Sequence, residues 1–585
     1  MEKDDDLSWG RSTVQTACPL DCPDTCSLAV AVEKGRVVKI DSSQRHNVTQ
    51  NFICGKVRRF GDRVYGEDRL LKAGLRDGPK GTGRFKDIDW DQALDLIAKQ
   101  MQRIRDRWGS EAILPFSYGG SNGLITQDTA DAQLFRRFGT SRLARTVCGA
   151  PTGAAHLALY GKMPGVSYPD YQHSRLIVIW GANPSVSSTH LVPYVRTAIQ
   201  NGAALIVIDP RRTALAKQAD IHLSVRPGSD VAVALAIHRF LFEHDLADEQ
   251  FLATHTHNWE TLRDRAAEWD FGRAASVADI DPELLERVAE MYAETSPAVI
   301  RCGWGLERNR NGGNSVAAIM ALPAVAGKFG IRGGGFSISN SGAWNLDENV
   351  WIGVDEPKTR RINMNQLGRA LTEHRDPPIQ MLFVYTSNPA VTMPDQNLVL
   401  RGLARDDLFT VVFDQVMTDT ARWADVVLPA TTFLEHYDVA KSYGLVNLQL
   451  VQPVIEPVGD SHPNVEVFTA LAQRLGIDVS MSLETDPEAL MHIAEAMPDQ
   501  IRNSLMQAGT AIPPVPVHPI QFKDVFPRTS DGKIDLFPST LDESAPKGLY
   551  TYQGDSPTDM YPLVLLSPAT EKTITSTLGE LRTRL

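Results

Sequence analysis

Thr16-Ala17-Cys18-Pro19-Leu20-Asp21-Cys22-Pro23-Asp24-Thr25-Cys26, with Cys54-Gly55-Lys56 further on, is the stretch on which the reading of this chain turns. Four of the six cysteines fall in these two places. Three thiols at Cys-x3-Cys-x3-Cys spacing let one loop wrap most of a cubane cluster, and thiolates are the usual protein ligands of a 4Fe–4S group. The prolines and turn formers between them suit a rigid ligating loop. A four-thiolate zinc site fits less well, because it pairs its cysteines at close spacing and Cys54 has no near partner. A disulfide framework belongs to small domains in oxidising compartments, and this chain is long and sparse in cysteine. Cys18, Cys22, Cys26 and Cys54 are therefore the expected metal ligands.

Outward from this loop, residues 28–41 alternate apolar and polar side chains around Glu33-Lys34-Gly35. That reads as a β-hairpin returning the chain toward Cys54. An amphipathic helix is expected at about 90–107, with Asp89 to Asp91 at its cap and Ala93, Leu94, Leu96, Ile97, Met101 and Ile104 on one face. Beyond 110 the pattern changes to short apolar runs alternating with amphipathic segments. Leu176 to Trp180, a helix near 190–201, and Ala204 to Ile208 form a βαβ unit whose apolar strands imply a parallel sheet covered on both faces. Similar runs end at Arg301, Tyr385 and Phe413, each followed by small or polar residues, as at the ligand-binding edges of open α/β sheets. Trp180-Gly181-Ala182-Asn183-Pro184 and Tyr385-Thr386-Ser387-Asn388-Pro389 resemble each other and read as one loop repeated in two α/β units.

At 585 residues the length suggests about four domain-sized units. The expected fold class is α/β and multi-domain. A small β-rich N-terminal iron–sulfur domain (11–70) precedes a core (71–500) of two Rossmann-like α/β units, one centred on 150–320. A linker-like segment (501–560) follows, and 561–585, opening on Tyr561 to Leu566 as a strand, reads as the start of a C-terminal β-barrel domain. A net charge of −12 argues against general nucleic-acid binding. No stretch is long and apolar enough to span a bilayer. The acidic start lacks a signal segment, and Arg58-Arg59 has no apolar run after it, so the expected location is cytoplasmic.

Neither strand-end loop is a Gly-x-Gly-x-x-Gly fingerprint, so ordinary NAD binding is poorly supported. Asp209 nevertheless stands where a carboxylate takes ribose or base hydrogens, with Arg211 and Arg212 for phosphate, although Asp209-Pro210 also reads as a plain turn.

The cluster cysteines, Cys54-Gly55-Lys56, Trp180 to Pro184, Asp209-Pro210-Arg211-Arg212 and Arg226 to Asp230 together resemble the molybdopterin oxidoreductases, the relatives of dimethyl sulfoxide reductase, formate dehydrogenase and nitrate reductase. Asp414-Gln415, Thr418 to Ala421, Ala424 to Pro429 and Thr431 to Glu435 match the later part of that signature. The resemblance implies a 4Fe–4S cluster and molybdenum or tungsten held by a bis(molybdopterin guanine dinucleotide), one dinucleotide per α/β unit. It places Asn183, Asp209, Arg211, Gly228 and Asp230 at one dinucleotide. Gly305, Asn388, Asp414, Thr418 and Asp425 would lie near the other or its pterin. It implies Lys56 as the cation between cluster and pterin, and Cys148 as the protein ligand to the metal. A soft thiolate suits such a metal. Cys302 is expected to be structural, and His190, His222 and His436 are candidates for supporting roles.

The implied activity is two-electron chemistry, oxygen-atom transfer to or from a small substrate such as an S-oxide, polysulfide, thiosulfate or nitrate. Gly149 after Cys148, where formate dehydrogenases carry His, disfavours formate. Electrons would pass to an electron-transfer subunit or carrier. Two alternatives stand beside this reading: non-redox hydration or hydroxyl transfer on the same cofactor, and a scaffold that only conducts electrons. The resemblance also implies a full C-terminal domain over the pterins, of which only the opening is recognisable.

Overall fold

The computed structural model describes residues 4–6, 11–44, 49–479, 485–511, 513, 515–554 and 557–581. Its N-terminal unit is an antiparallel sheet of Asp4–Asp6, Arg11–Ala17, Ser27–Glu33 and Arg36–Ser42. The expected hairpin turns at Lys34 and Gly35, both at positive φ. The short helices Gly55–Arg58 and Phe60–Val64 complete it, starting directly after Cys54.

Two larger sheets carry the rest. The first is fully parallel, in the order Ile221–Leu223, Ala204–Ile208, Leu176–Trp180, Ala298–Cys302, Gly335–Ser337. In the strand Leu176–Trp180 every residue is buried, and its side chains alternate between two apolar clusters. Leu176, Val178 and Trp180 join the helices Asp230–Glu243 and Gly312–Val325 on one face, while Ile177 and Ile179 meet Val192–Gln200 on the other. Covering of both faces is why the strand reads as a continuous apolar run.

The second sheet runs Phe85–Asp87, Gly74–Arg76, Val426–Pro429, Phe409–Asp414, Met381–Tyr385, Ile113–Ser117. Its last four strands are parallel and its first two antiparallel. Met381, Phe383 and Tyr385 face the cluster that includes the helix Trp90–Trp108, whose cap is Asp89 as expected; Leu382 and Val384 face the opposite one. The unit is discontinuous in sequence: the first sheet's residues are inserted between Ser117 and Met381.

Residues 501–560 do not run as a free linker. Ile534–Asp535 adds a parallel pair to Thr256–His257, Phe336 N–H donates to Gln521 Oε1 at 3.0 Å, and the buried Tyr550 donates its hydroxyl to Leu536 O at 2.7 Å. These are single anchors separated by turns, so no periodicity announces them. Tyr561 to Leu566 is not a strand. It pairs with no strand among the described residues, and Leu563 and Leu565 are 85% and 92% exposed. An apolar alternation forms a sheet only where a neighbouring edge is available to pair it.

Candidate active site

The carboxyl ends of both parallel arrays open onto one cavity of about 1660 Å³, well above the roughly 300–1,000 Å³ of ordinary small-molecule pockets. Gly181 to Pro184 and Asp209 to Arg211 line it from the first sheet, and Thr386 to Asn388 with Asp414 and Gln415 line it from the second. The likeness of the two loops extends to their backbone: Gly181 has φ +60° and Thr386 φ +48°. Each loop also buries an oxygen with no hydrogen-bond partner, Asn183 Oδ1 in one and Thr386 Oγ1 in the other. A buried acceptor left unmet is costly unless a ligand meets it.

The remaining expected residues are distributed around this space. Gly228, at φ +88°, and Gly305 both line it. Gly305 N–H donates to Gly181 O at 3.1 Å, and a Cβ on Gly305 would stand 2.7 Å from that oxygen, so only glycine lets the two strand ends nest. Asp230 accepts from Trp180 Nε1 at 2.8 Å, and burial pushes its carboxyl up to about 6. Burial likewise raises Asp209, whose Oδ1 accepts the Arg211 amide at 2.8 Å. Asp414 is raised to about 6 by burial, against the pull of Arg63 at 3.7 Å. Three carboxyls held toward neutrality around one cavity are suited to accept or share hydrogens with a polar ligand. Asn388 lines the cavity but turns its Oδ1 to the Thr420 hydroxyl at 2.6 Å, and Thr418 accepts the Ala421 amide at 3.1 Å.

Asp425 does not belong to this set. It lies outside the cavity lining, ion-paired with Arg76 at 2.9 Å and Lys80 at 3.0 Å, and it accepts the Thr410 amide at 2.7 Å. Its place in the sequence pattern reflects a buried pair that ties the sheet's edge together.

At one end of the cavity sits the cysteine loop, closed by Cys18 N–H to Cys26 O at 2.9 Å. All six cysteines are free. Burial, then the neighbouring Cys54, pushes the Cys18 thiol up to about 12, and burial also drives Cys22 and Cys26 well up, with Asp24 and the other thiols adding to it. Among the described residues no group of three or more His, Cys, Asp or Glu converges tightly enough for a single metal ion. The four thiols lie close enough to feel one another's charge, as the thiolate ligands of one iron–sulfur cluster do. Thiols held neutral by burial give up their protons when a metal takes their place. The donor set therefore fits the cluster.

His190 braces this loop. Its Nδ1 lies 2.9 Å from Asp24 Oδ2, its Nε2 lies 2.9 and 3.0 Å from the carbonyls of Thr49 and Phe52, and the Phe52 ring stacks on it at 4.2 Å. Burial is the largest influence and works against its charge, but the bond to Asp24, the charge of Asp24 and the two carbonyls together outweigh it and leave the pKa raised. His222 Nε2 is 2.9 Å from Asp209 O. His436, beside Thr431 at 2.8 Å, lines the cavity and is dropped to about 4 by burial.

Lys56 is buried between cluster loop and cavity and donates to Val186 O at 3.0 Å and Thr570 O at 3.2 Å. Cys148 lines the cavity, its thiol pushed up to about 12 by burial against the pull of Arg308. The chain on either side of it is gripped by two consecutive residues. Gly149 N–H donates to Glu307 Oε1 at 3.2 Å, and the Arg308 guanidinium donates to Val147 O. Tyr118 donates its hydroxyl to Cys148 O at 2.5 Å. Cys302, as expected, is a buried core residue.

Sequence reasoning passed over Asp21, Tyr118, Trp304, Glu307, Arg308 and Tyr443. Asp21 is raised to about 6 by burial and accepts from the Tyr443 hydroxyl at 3.2 Å, while Trp304 stacks on Tyr443 at 5.6 Å. Only Asp21 had a signal, its place inside the cysteine motif. Residues 563–570, 573–577, 579 and 580 also reach the cavity, where Glu580 pairs with Arg63 at 2.5 Å.

Residues 58–474 match the family model described as Molybdopterin oxidoreductase, and residues 11–66 match the Molybdopterin oxidoreductase Fe4S4 domain. The chain is 37% identical over 552 residues to "Probable oxidoreductase YoaE" of Bacillus subtilis, covering 92% of this chain and 80% of that one. It is 28% identical over 524 residues to the F420-dependent formate dehydrogenase 2 subunit alpha of Methanococcus maripaludis, covering 85% and 75%. The fold is that of acetylene hydratase from Pelobacter acetylenicus, at a TM-score of 0.77 and 22% identity over 94% of this chain and 80% of that one. The chain belongs to the molybdopterin oxidoreductase family. It is an enzyme of molybdenum- or tungsten-pterin and 4Fe–4S cofactors. No helix among the described residues is long and apolar enough to cross a membrane.

Proposed function

We propose that this chain is a bis(molybdopterin guanine dinucleotide) oxidoreductase carrying out two-electron, oxygen-atom transfer on a small substrate, with electrons passing through the cluster to a partner. One observation carries the reading: two like strand-end loops from separate sheets, each with an unmet buried oxygen, face one cavity that also holds Cys148 and the cysteine loop. When bound, a molybdenum or tungsten pterin supplies a metal that accepts or gives an electron pair together with oxygen. The protein's part follows from its residues. Asn183, Asp209, Arg211, Gly228 and Asp230 would hold one dinucleotide, and Gly305, Asn388, Asp414 and Thr418 the other. Cys148 would ligate the metal, its backbone fixed by Tyr118, Glu307 and Arg308. Lys56 would place a positive charge between cluster and pterin.

Anaerobic isolation followed by metal and pterin analysis tests the assignment, with a viologen-linked screen of sulfur and nitrogen oxyanions, S-oxides, N-oxides and formate to find the substrate. Stoichiometric iron with neither metal nor pterin would overturn it. A second reading, hydration without net electron transfer, is favoured by Asp21, a cavity carboxyl raised by burial to about 6 and so able to exchange a proton with a bound substrate near neutral pH. Turnover with neither electron donor nor acceptor present would select it.

A further inference from the structure

We propose that the face formed by the strand Arg36–Ser42 and the helix Gly55–Arg58 is the docking surface for a small acidic one-electron carrier protein. The inference rests on the oxidoreductase reading above, in which the cluster is the electron port.

Residues 11–66 hold nine Lys and Arg against five Asp and Glu, a net of +4, in a chain whose net charge is −12. Part of this excess lies beside one cluster ligand. Cys54 directly precedes the helix Gly55–Arg58, and Arg58 N–H bonds back to Cys54 O at 3.3 Å, so Arg58 stands one helical turn from that thiol. Its side chain is 46% exposed and shares Asp41 with Lys39, at 3.4 and 2.9 Å. One carboxylate between two cations leaves the pair net positive. Lys34 and Arg36 extend the patch at the exposed hairpin turn, with the Arg36 guanidinium 4.0 Å over the ring of Tyr65. Val38, next to Lys39 on the same strand, is 46% exposed.

An exposed apolar residue beside an excess of one charge suits the surface of a transient encounter. Weak electron-transfer contacts bury less than about 1,200 Å², and charge complementarity raises their association rate more than their affinity. Facing a net negative body, this patch would orient an acidic carrier with its redox centre toward Cys54. One electron passes from the reduced carrier to the cluster, or back, and no atom is exchanged.

The test uses the holoprotein and a photoreduced 2Fe–2S ferredoxin of acidic charge as probe, following cluster reduction by stopped flow. Wild type should show a second-order rate that falls steeply between low and high salt. The double variant Lys34→Glu with Lys39→Glu should lose about 10-fold or more of that rate at low salt, and most of its salt dependence. A charge-matched control, Lys99→Glu with Arg103→Glu on the distant helix Trp90–Trp108, should behave as wild type. Reduction by methyl viologen should be equal in all three proteins, which shows that the cluster is intact. Equal ferredoxin rates in wild type and the double variant would overturn the docking inference alone. A protein whose iron viologen cannot reduce would overturn the oxidoreductase reading with it.

Discussion

Lys56 allows a quantitative test of how the cluster and the cavity are coupled. Its ammonium group is buried and held by two carbonyls, Val186 O at 3.0 Å and Thr570 O at 3.2 Å. Its charge reaches the cysteine loop, where it pulls the Cys18 thiol down against burial. Two unit charges roughly 8 Å apart, in an effective dielectric of about 20, interact by about 2 kcal/mol. For a one-electron couple that is about 90 mV. Lys56→Met should therefore lower the cluster's midpoint potential by roughly that amount, whereas Lys56→Arg, which keeps the charge, should move it far less. The assay is a dithionite titration followed by the EPR signal of the reduced cluster, at fixed pH and ionic strength. A shift in Lys56→Met of less than about 20 mV, or one toward higher potential, would refute the reasoning. Equal shifts in both variants would refute it too, because they would point to lost packing rather than lost charge.

Cys148→Ala should keep its full iron content and lose at least about a hundredfold in turnover; unchanged electron transfer and turnover would favour the scaffold alternative. Glu307→Ala removes the acceptor for the Gly149 amide, a charge-assisted bond of about 1.5–3 kcal/mol, and should speed alkylation of Cys148 in the metal-free protein, as read by mass spectrometry. His156 and His238 are both dropped to about 4 by burial, so the unfolded chain binds more protons than the folded one between about 4 and 6.5. Their contribution is complete above that window and is lost as pH falls through it, by about 2 kcal/mol for each at pH 5. Denaturation of His156→Gln with His238→Gln between pH 7 and 5 should show a correspondingly weaker dependence than wild type.

How legible all this was depended on how local each signal is. The cysteine spacing, the hairpin turn at Lys34-Gly35 and the all-apolar runs at Leu176 and Met381 depend on a few consecutive residues. Loop geometry and two-faced burial leave their mark within that span. The strand-end repeat was equally readable, and the structure adds the matching positive φ at Gly181 and Thr386.

What the amino-acid order determined by itself was therefore the family, the four cysteines that gather beside the cavity and most residues facing it. The tertiary structure alone decided that the second unit is split around the first, and that Asp425 serves Arg76 and Lys80 rather than the cavity. It also decided that Glu307, Arg308 and Tyr118 converge on the backbone around Cys148. These are contacts between segments far apart in the chain. A buried ion pair and a ligand contact demand the same residue types, so composition and spacing cannot tell them apart until the fold sets which partner is near.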